Sequence, residues 1–173
     1  MRSAIALISC LAILALVTFS IVGKERQLES GKVVYLELAP VDPRSLMQGD
    51  YMALRFKIAN DARPAMPRSQ SSGDRRFWGQ GDLATADGRI VAGLDPNSVA
   101  IYRRLDDGTA LARNEILLRY RVRKGQFKFA TNAYFFQEGT AKRYQGARYG
   151  EFRVAPDGEL LLTGLRDKEL HPL

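Results

Sequence analysis

The sequence predicts an all-β protein: an antiparallel barrel or sandwich of about ten short strands, preceded by one N-terminal transmembrane helix. Three observations predict it. Residues 3–23, "SAIALISCLAILALVTFSIVG", carry no charge. Alternating apolar and polar residues take over from residue 33. Glycine-containing turn dipeptides then recur at short intervals.

Residues 3–23 would span about 31 Å as a helix, close to the thickness of a hydrocarbon core. Eleven of these positions are Leu, Ile, Val or Phe. At their usual insertion values they favour the bilayer by about 3–7 kcal/mol, before the polar residues are counted against it. A cleaved signal peptide would need a shorter apolar core and small residues near its end, whereas this run ends "FSIVGKER". "LISC" resembles a lipoprotein box, but most of the apolar run follows Cys10 rather than preceding it. An uncleaved single-span anchor at 1–23 is therefore expected. Arg2 and the α-amino group favour a cytoplasmic N-terminus, while Lys24 and Arg26 oppose it. A tail this short before a long domain behaves as a signal anchor. The expected location is the inner membrane, with the soluble domain in the periplasm.

Residues 24–32 read as a polar connector, and 33–173 as a single all-β domain. In "KVVYLELAPV", Val34, Leu36 and Leu38 share a face. In "MALRFKI", Met52, Leu54, Phe56 and Ile58 share one, as in a half-buried strand. Asp87-Gly88, Asp107-Gly108, Lys124-Gly125 and Asp157-Gly158 each read as a hairpin turn. No helix is expected after the anchor beyond one turn within 137–145. Residues 60–81 read as a long loop ending near Trp78, the only tryptophan. Such a loop is either a mobile excursion or a docking arm anchored by that ring.

The usual catalytic sets are missing. The single His171 is the third residue from the C-terminus, where fraying is expected, and the single Cys10 lies in the apolar run. A Ser-His-Asp or Cys-His nucleophile and a His/Cys metal site cannot be assembled from them. No phosphate-loop or dinucleotide fingerprint is present, and no cofactor or metal is expected. What remains is a polar turn, "PVDPRSLMQGDY". Asp42, Arg44, Gly49 and Asp50 either satisfy the turn's own backbone or line a pocket at the end of the shell.

The net charge is +7, from 26 Lys and Arg against 19 Asp and Glu. With an anchor present, this points to an anionic surface or acidic partner rather than nucleic acid. Arg119, Arg121 and Arg123 alternate on one strand, and Lys128 falls beside them if the Lys124-Gly125 turn is tight. Four like charges on neighbouring strands suit lipid head groups, or else a solvated face with acidic neighbours. Around "NAYFFQEGTAKRYQGARYGE", Tyr134, Phe135 and Phe136 stand near Glu138, Tyr144, Arg148 and Tyr149. Aromatics beside charges suit a recognition surface, with cation–π contacts from Arg143 or Arg148, or equally a strand end with a capped loop.

"GDYMALRFKI" resembles the GDYXXLXY family of bacterial membrane-anchored proteins, with Gly49, Asp50, Tyr51 and Leu54 at motif positions. Phe56 stands where the motif's second Tyr would be, so that hydroxyl is lost. The later segment with Phe135, Phe136, Glu138, Gly139, Tyr144, Tyr149 and Gly150 is similar too. The resemblance implies a small N-terminally anchored protein without an assigned activity, and a multi-pass membrane protein as partner. The expected function is non-catalytic binding of such a partner or of an anionic envelope component. The alternative is an envelope hydrolase with a carboxylate/Arg pocket built from Asp42, Arg44, Asp50 and Glu138. The sequence leaves the oligomeric state open.

Overall fold

The computed structural model describes residues 2–39, 47–48, 51–67 and 83–173, with the backbone alone at 2–6 and 47–48. The predicted sites Asp42, Arg44, Gly49, Asp50 and Trp78 lie outside the described residues.

The first element, α1 (Arg2–Ser30), is one continuous helix of 29 residues. Its apolar side chains from Leu7 to Val22 are exposed all round, as they would be on a helix solvated by lipid. Among the described residues it is the one helix long and apolar enough to cross a membrane. The polar connector 24–30 is helical as well. It continues α1 until Gly31, whose N–H donates to the Gln27 carbonyl at 2.9 Å.

This last stretch of helix docks on the β domain. Gln27 is 7% exposed, and its Nε2 donates to the carbonyls of Arg153 at 3.1 Å and Glu159 at 2.8 Å. Lys24 Nζ reaches Glu159 Oε1 at 2.7 Å, and Arg153 Nη1 donates to the Gly31 carbonyl at 3.2 Å. Both receiving segments belong to one hairpin, β9 (Tyr149–Val154) and β10 (Leu160–Arg166).

The hairpin closes at Asp157-Gly158, as predicted, with Asp157 Oδ1 accepting the Glu159 N–H. β1 (Lys32–Glu37) pairs antiparallel with β9, giving the order β1-β9-β10. Val34 lies opposite Phe152 and Leu36 opposite Gly150. A second sheet has the order β2-β3-β8, from Met47–Gln48, Tyr51–Ala53 and Ala133–Phe135. A third has the order β5-β4-β6-β7, from Ala100–Leu105, Ala86–Leu94, Glu115–Arg123 and Gln126–Lys128. Isolated bridges tie β1 and the residue just past it to segments bordering the other two sheets: Tyr35 to Val99, and Leu38 to Phe56. Ten strands among the described residues thus curl into a half-barrel, preceded by one helix. Phe152, Leu36, Leu54, Ile90, Leu118 and Leu165 fill its interior. Each contributes about 1.5–3 kcal/mol relative to exposure.

Three local expectations are corrected. "MALRFKI" is a strand only at Tyr51–Ala53, and Lys57–Ala62 forms a short helix, α2, followed by a 3-10 turn at Arg63–Ala65. The inward pattern survives the change. Met52, Leu54, Phe56 and Ile58 are at most 3% exposed, and Ala62 continues the face at the i+4 position of a helix. Asp87-Gly88 is no turn but lies inside β4, opposite Arg121 and Tyr120. The glycine serves close approach: a Cβ there would stand 2.8 Å from the Tyr120 hydroxyl. The C-terminus is tied down rather than frayed, since Leu173 N–H donates to the Leu165 carbonyl and Pro172 bridges Arg166.

The Lys124-Gly125 turn is confirmed, with positive φ at both residues, 52° and 70°. The Asp107-Gly108 hairpin is also corrected: the chain turns there, but residues 109–113 form no strand, and β5 and β6 flank β4 instead of pairing with each other. The turn joining β4 to β5 had no such signal. Asp95 builds it, its Oδ1 accepting the N–H groups of Asn97 and Val99.

The junction yields a first prediction. Gln27→Ala leaves two backbone carbonyls without their donor and should lower stability by about 1–3 kcal/mol. Thermal melting of the full chain in detergent checks this, and Ser30→Ala, at an exposed site, should change it much less.

Candidate functional site

Two regions of the β domain gather polar or aromatic groups that the core does not consume. The first is the basic face of β6. Its alternation is as predicted, and Lys128 lies directly opposite Arg121. The face also draws in β4, where Asp87 and Arg89 stand opposite Arg121 and Arg119. Acidic neighbours compensate it in part. Arg123 Nη2 pairs with Asp87 at 2.8 Å and its Nη1 donates to the Val122 carbonyl at 2.9 Å. Arg89 Nε pairs with Asp106 at 2.8 Å, and Arg119 stands 3.8 Å from Asp157. Arg121 and Lys128 have no ion pair within 4.0 Å among the described residues.

Beside this face lies a cleft of about 650 Å³, walled by Lys24 of α1, by Arg89, Arg119 and Arg121, and by Glu159. Tyr120, Phe129 and Leu160 give it an apolar floor. Burial pushes the Tyr120 phenol above its ordinary pKa. The Arg123 hydrogen bond holds the Asp87 carboxyl below the ordinary carboxylate range. Arg121 and Arg119 lower it further.

The second region is aromatic. β3 carries Tyr51 and β8 carries Phe135; they are register partners with ring centroids 5.8 Å apart. Phe135 is 75% exposed. Tyr134 meets Tyr144 edge-on at 5.3 Å, and Phe136 stacks on Tyr144 at 5.1 Å. Of the two predicted cation–π donors, Arg143 sits 5.9 Å from the Tyr144 ring. Arg148 is exposed, and its backbone joins two strand ends: its carbonyl accepts from Leu38 and its N–H donates to Arg166. Tyr149 is half-buried opposite Glu37, and Glu138 is exposed in the turn before Ala141–Gly146. The structure thus unites Tyr51 with the aromatics around Phe135, and leaves Glu138, Arg148 and Tyr149 on separate elements.

Two side-chain groups escaped the sequence reading. Glu151 is 8% exposed on β9, and Arg166 of β10 binds it through both Nε and Nη2, with Thr163 Oγ1 donating to it at 3.1 Å. No local pattern announces this pair, because the two strands meet only through the hairpin. Asp167, Glu169 and His171 bring ligand atoms within 4.8 Å of one another. The spacing D-x-E-x-H was its visible signal. Asp167 Oδ1 already accepts the N–H groups of Glu169 and His171, so the cluster also closes the last turn.

An apolar N-terminal helix fixed to a β half-barrel, with the motif-bearing strand paired to a second aromatic segment, defines a class of membrane-anchored β modules. The chain belongs to the GDYXXLXY protein family, whose model matches residues 13–165. No curated protein and no solved structure matches this chain. The departure at Phe56 has a structural reason. It is 3% exposed and packs edge-on against Phe152 at 5.5 Å and Phe129 at 5.9 Å. A ring suffices there, and a hydroxyl would need a buried partner.

Two predictions follow from these surroundings. Phe56→Ala should cost about 3–5 kcal/mol, whereas Phe135→Ser should stay within about 0.5 kcal/mol; denaturant unfolding of both variants decides. Because the Asp87 pKa is depressed on folding, its ion pair with Arg123 stabilises above the ordinary carboxylate pKa and is lost as pH falls through the folded value. Carboxyl NMR should find Asp87 titrating below the ordinary range, and Arg123→Gln should move it upward.

Proposed function

We propose that this protein is a single-span inner-membrane protein whose β half-barrel faces the periplasm and docks a multi-pass membrane protein, without chemistry of its own. The observation that carries the reading is Phe135, three-quarters exposed beside Tyr51 of the family motif. A large ring held in the open costs hydrophobic free energy that a partner surface recovers. β8 is rigidly placed by its ladder with β3 rather than borne on a free loop, so the ring is presented in a fixed direction. The helical continuation of α1 into the β domain supports the anchored form. Residues 24–30 are bonded into the fold and hold the module against the bilayer, where an integral membrane partner would be met.

In-cell photocrosslinking tests this. A benzophenone side chain at position 135 should give one discrete adduct containing a multi-pass membrane protein. The same group at Ile101, 48% exposed on β5, should not. Adducts at both positions, or at neither, would count against a docking role for the aromatic sheet.

A further inference from the structure

We propose that the cleft between the end of α1 and the β4–β6 face binds the phosphate of an anionic phospholipid from the leaflet in which α1 ends. The inference rests on the membrane-anchored reading and on nothing about a protein partner.

Position is the first argument. The apolar run ends at Gly23, and Lys24, the next residue, lines the cleft. The headgroup layer occupies roughly 5–7 Å on each side of the hydrocarbon core. One wall of the cleft therefore lies where lipid phosphates are. It is kept there because Lys24 pairs with Glu159 at 2.7 Å and Gln27 is bonded to the β9–β10 hairpin.

Charge is the second. Lys24, Arg89, Arg119 and Arg121 line the cleft against only Asp87 and Glu159. Lys24 pairs with Glu159, Arg89 with Asp106 and, at 3.8 Å, Arg119 with Asp157, while Asp87 is held by Arg123; the cation left over is Arg121. Arg121 makes no ion pair within 4.0 Å among the described residues; it stands between Asp87 of β4, whose carboxylate Arg123 already binds, and a further cation, Lys128 of β7. An anion beside Arg121 would relieve that repulsion, and guanidinium groups match phosphate oxygens in geometry.

Shape is the third. Tyr120, Phe129 and Leu160 at its base already belong to the core, but Ala130, which is exposed, and Leu161, which is half-buried, line the cleft beside the basic rim. A basic rim beside accessible apolar groups suits an amphiphile, whose glycerol and first methylenes would cover Ala130 and Leu161 while the phosphate meets the rim. A free inorganic anion would use the rim alone.

The test uses the full chain in detergent, mixed with phosphatidylglycerol or phosphatidylcholine and read by native mass spectrometry. Phosphatidylglycerol should be retained about tenfold more than phosphatidylcholine, the step that corresponds to 1.4 kcal/mol. Arg119→Gln/Arg121→Gln should weaken the preference with the melting temperature little changed, and Arg119→Glu/Arg121→Glu should abolish it, with some loss of stability because the new carboxylates stand near Asp157 and Asp87. Arg113→Glu/Lys142→Glu, the same change in net charge at exposed sites outside the cleft, should leave it intact. Equal loss in this control would reduce the effect to bulk charge and overturn the site. Displacement by inorganic phosphate at equal concentration would assign the cleft to a free anion instead. The anchored reading is checked separately by the intact mass of the chain in the membrane fraction of cells. An anchored, unprocessed chain without lipid preference sinks this inference alone. A chain that has lost its apolar run removes the premise and the inference together.

Discussion

A glutamine at the end of a helix sets the geometry of this protein. Gln27 offers two amide hydrogens, and both are spent on backbone carbonyls of the β9–β10 hairpin. Neutral hydrogen bonds of this kind are worth about 1 kcal/mol each, yet their positional consequence exceeds their energy. They convert what would be a flexible stalk into a rigid continuation of the apolar helix. The same hairpin supplies Glu159 to Lys24, and Arg153 returns a hydrogen bond to the carbonyl just past the helix. The orientation of the half-barrel relative to α1 is fixed by this small set of contacts.

What the junction orients is a core assembled from long-range pairings. β1 follows the helix directly but pairs with β9, more than a hundred residues later, and β9 pairs in turn with β10. Phe152, at the centre of β9, packs on Phe56, which packs on Phe129. The family motif therefore does two different things along six residues, 51–56. Its later positions, Leu54 and Phe56, are buried structural elements. Its earlier described position, Tyr51, sits at the surface of the small sheet beside Phe135. Structure and exposure are braided in one short segment, so the motif cannot be read as purely functional or purely architectural.

The alternation in the sequence was a faithful guide to which residues face inward. Val34, Leu36, Met52, Leu54, Phe56 and Ile58 are all buried, although the chain changes from strand to helix at Lys57. Period two and the i, i+4 spacing overlap at Ile58 and Ala62, so the burial pattern was legible while the element type was not. Glycine was the less reliable sign. At Lys124-Gly125 it marks a turn, but at Gly88 it makes room for Tyr120 inside a strand. Both uses need a residue without a side chain, and the sequence does not distinguish a backbone requirement from a steric one.

By itself the sequence determined the apolar run, the all-β class, the inward faces at Val34–Leu36 and Met52–Ile58 and the alternating arginines, because each is a local period of the chain. Only the tertiary structure decided that the polar stretch after the run is helical and docked. It also decided that Arg123 is neutralised by Asp87 while Arg121 is not, and that Glu151 is buried against Arg166. The reason is one of range. Periodicity is a property of neighbours in the chain, whereas charge pairing and docking depend on segments that only the closing of the sheets brings together.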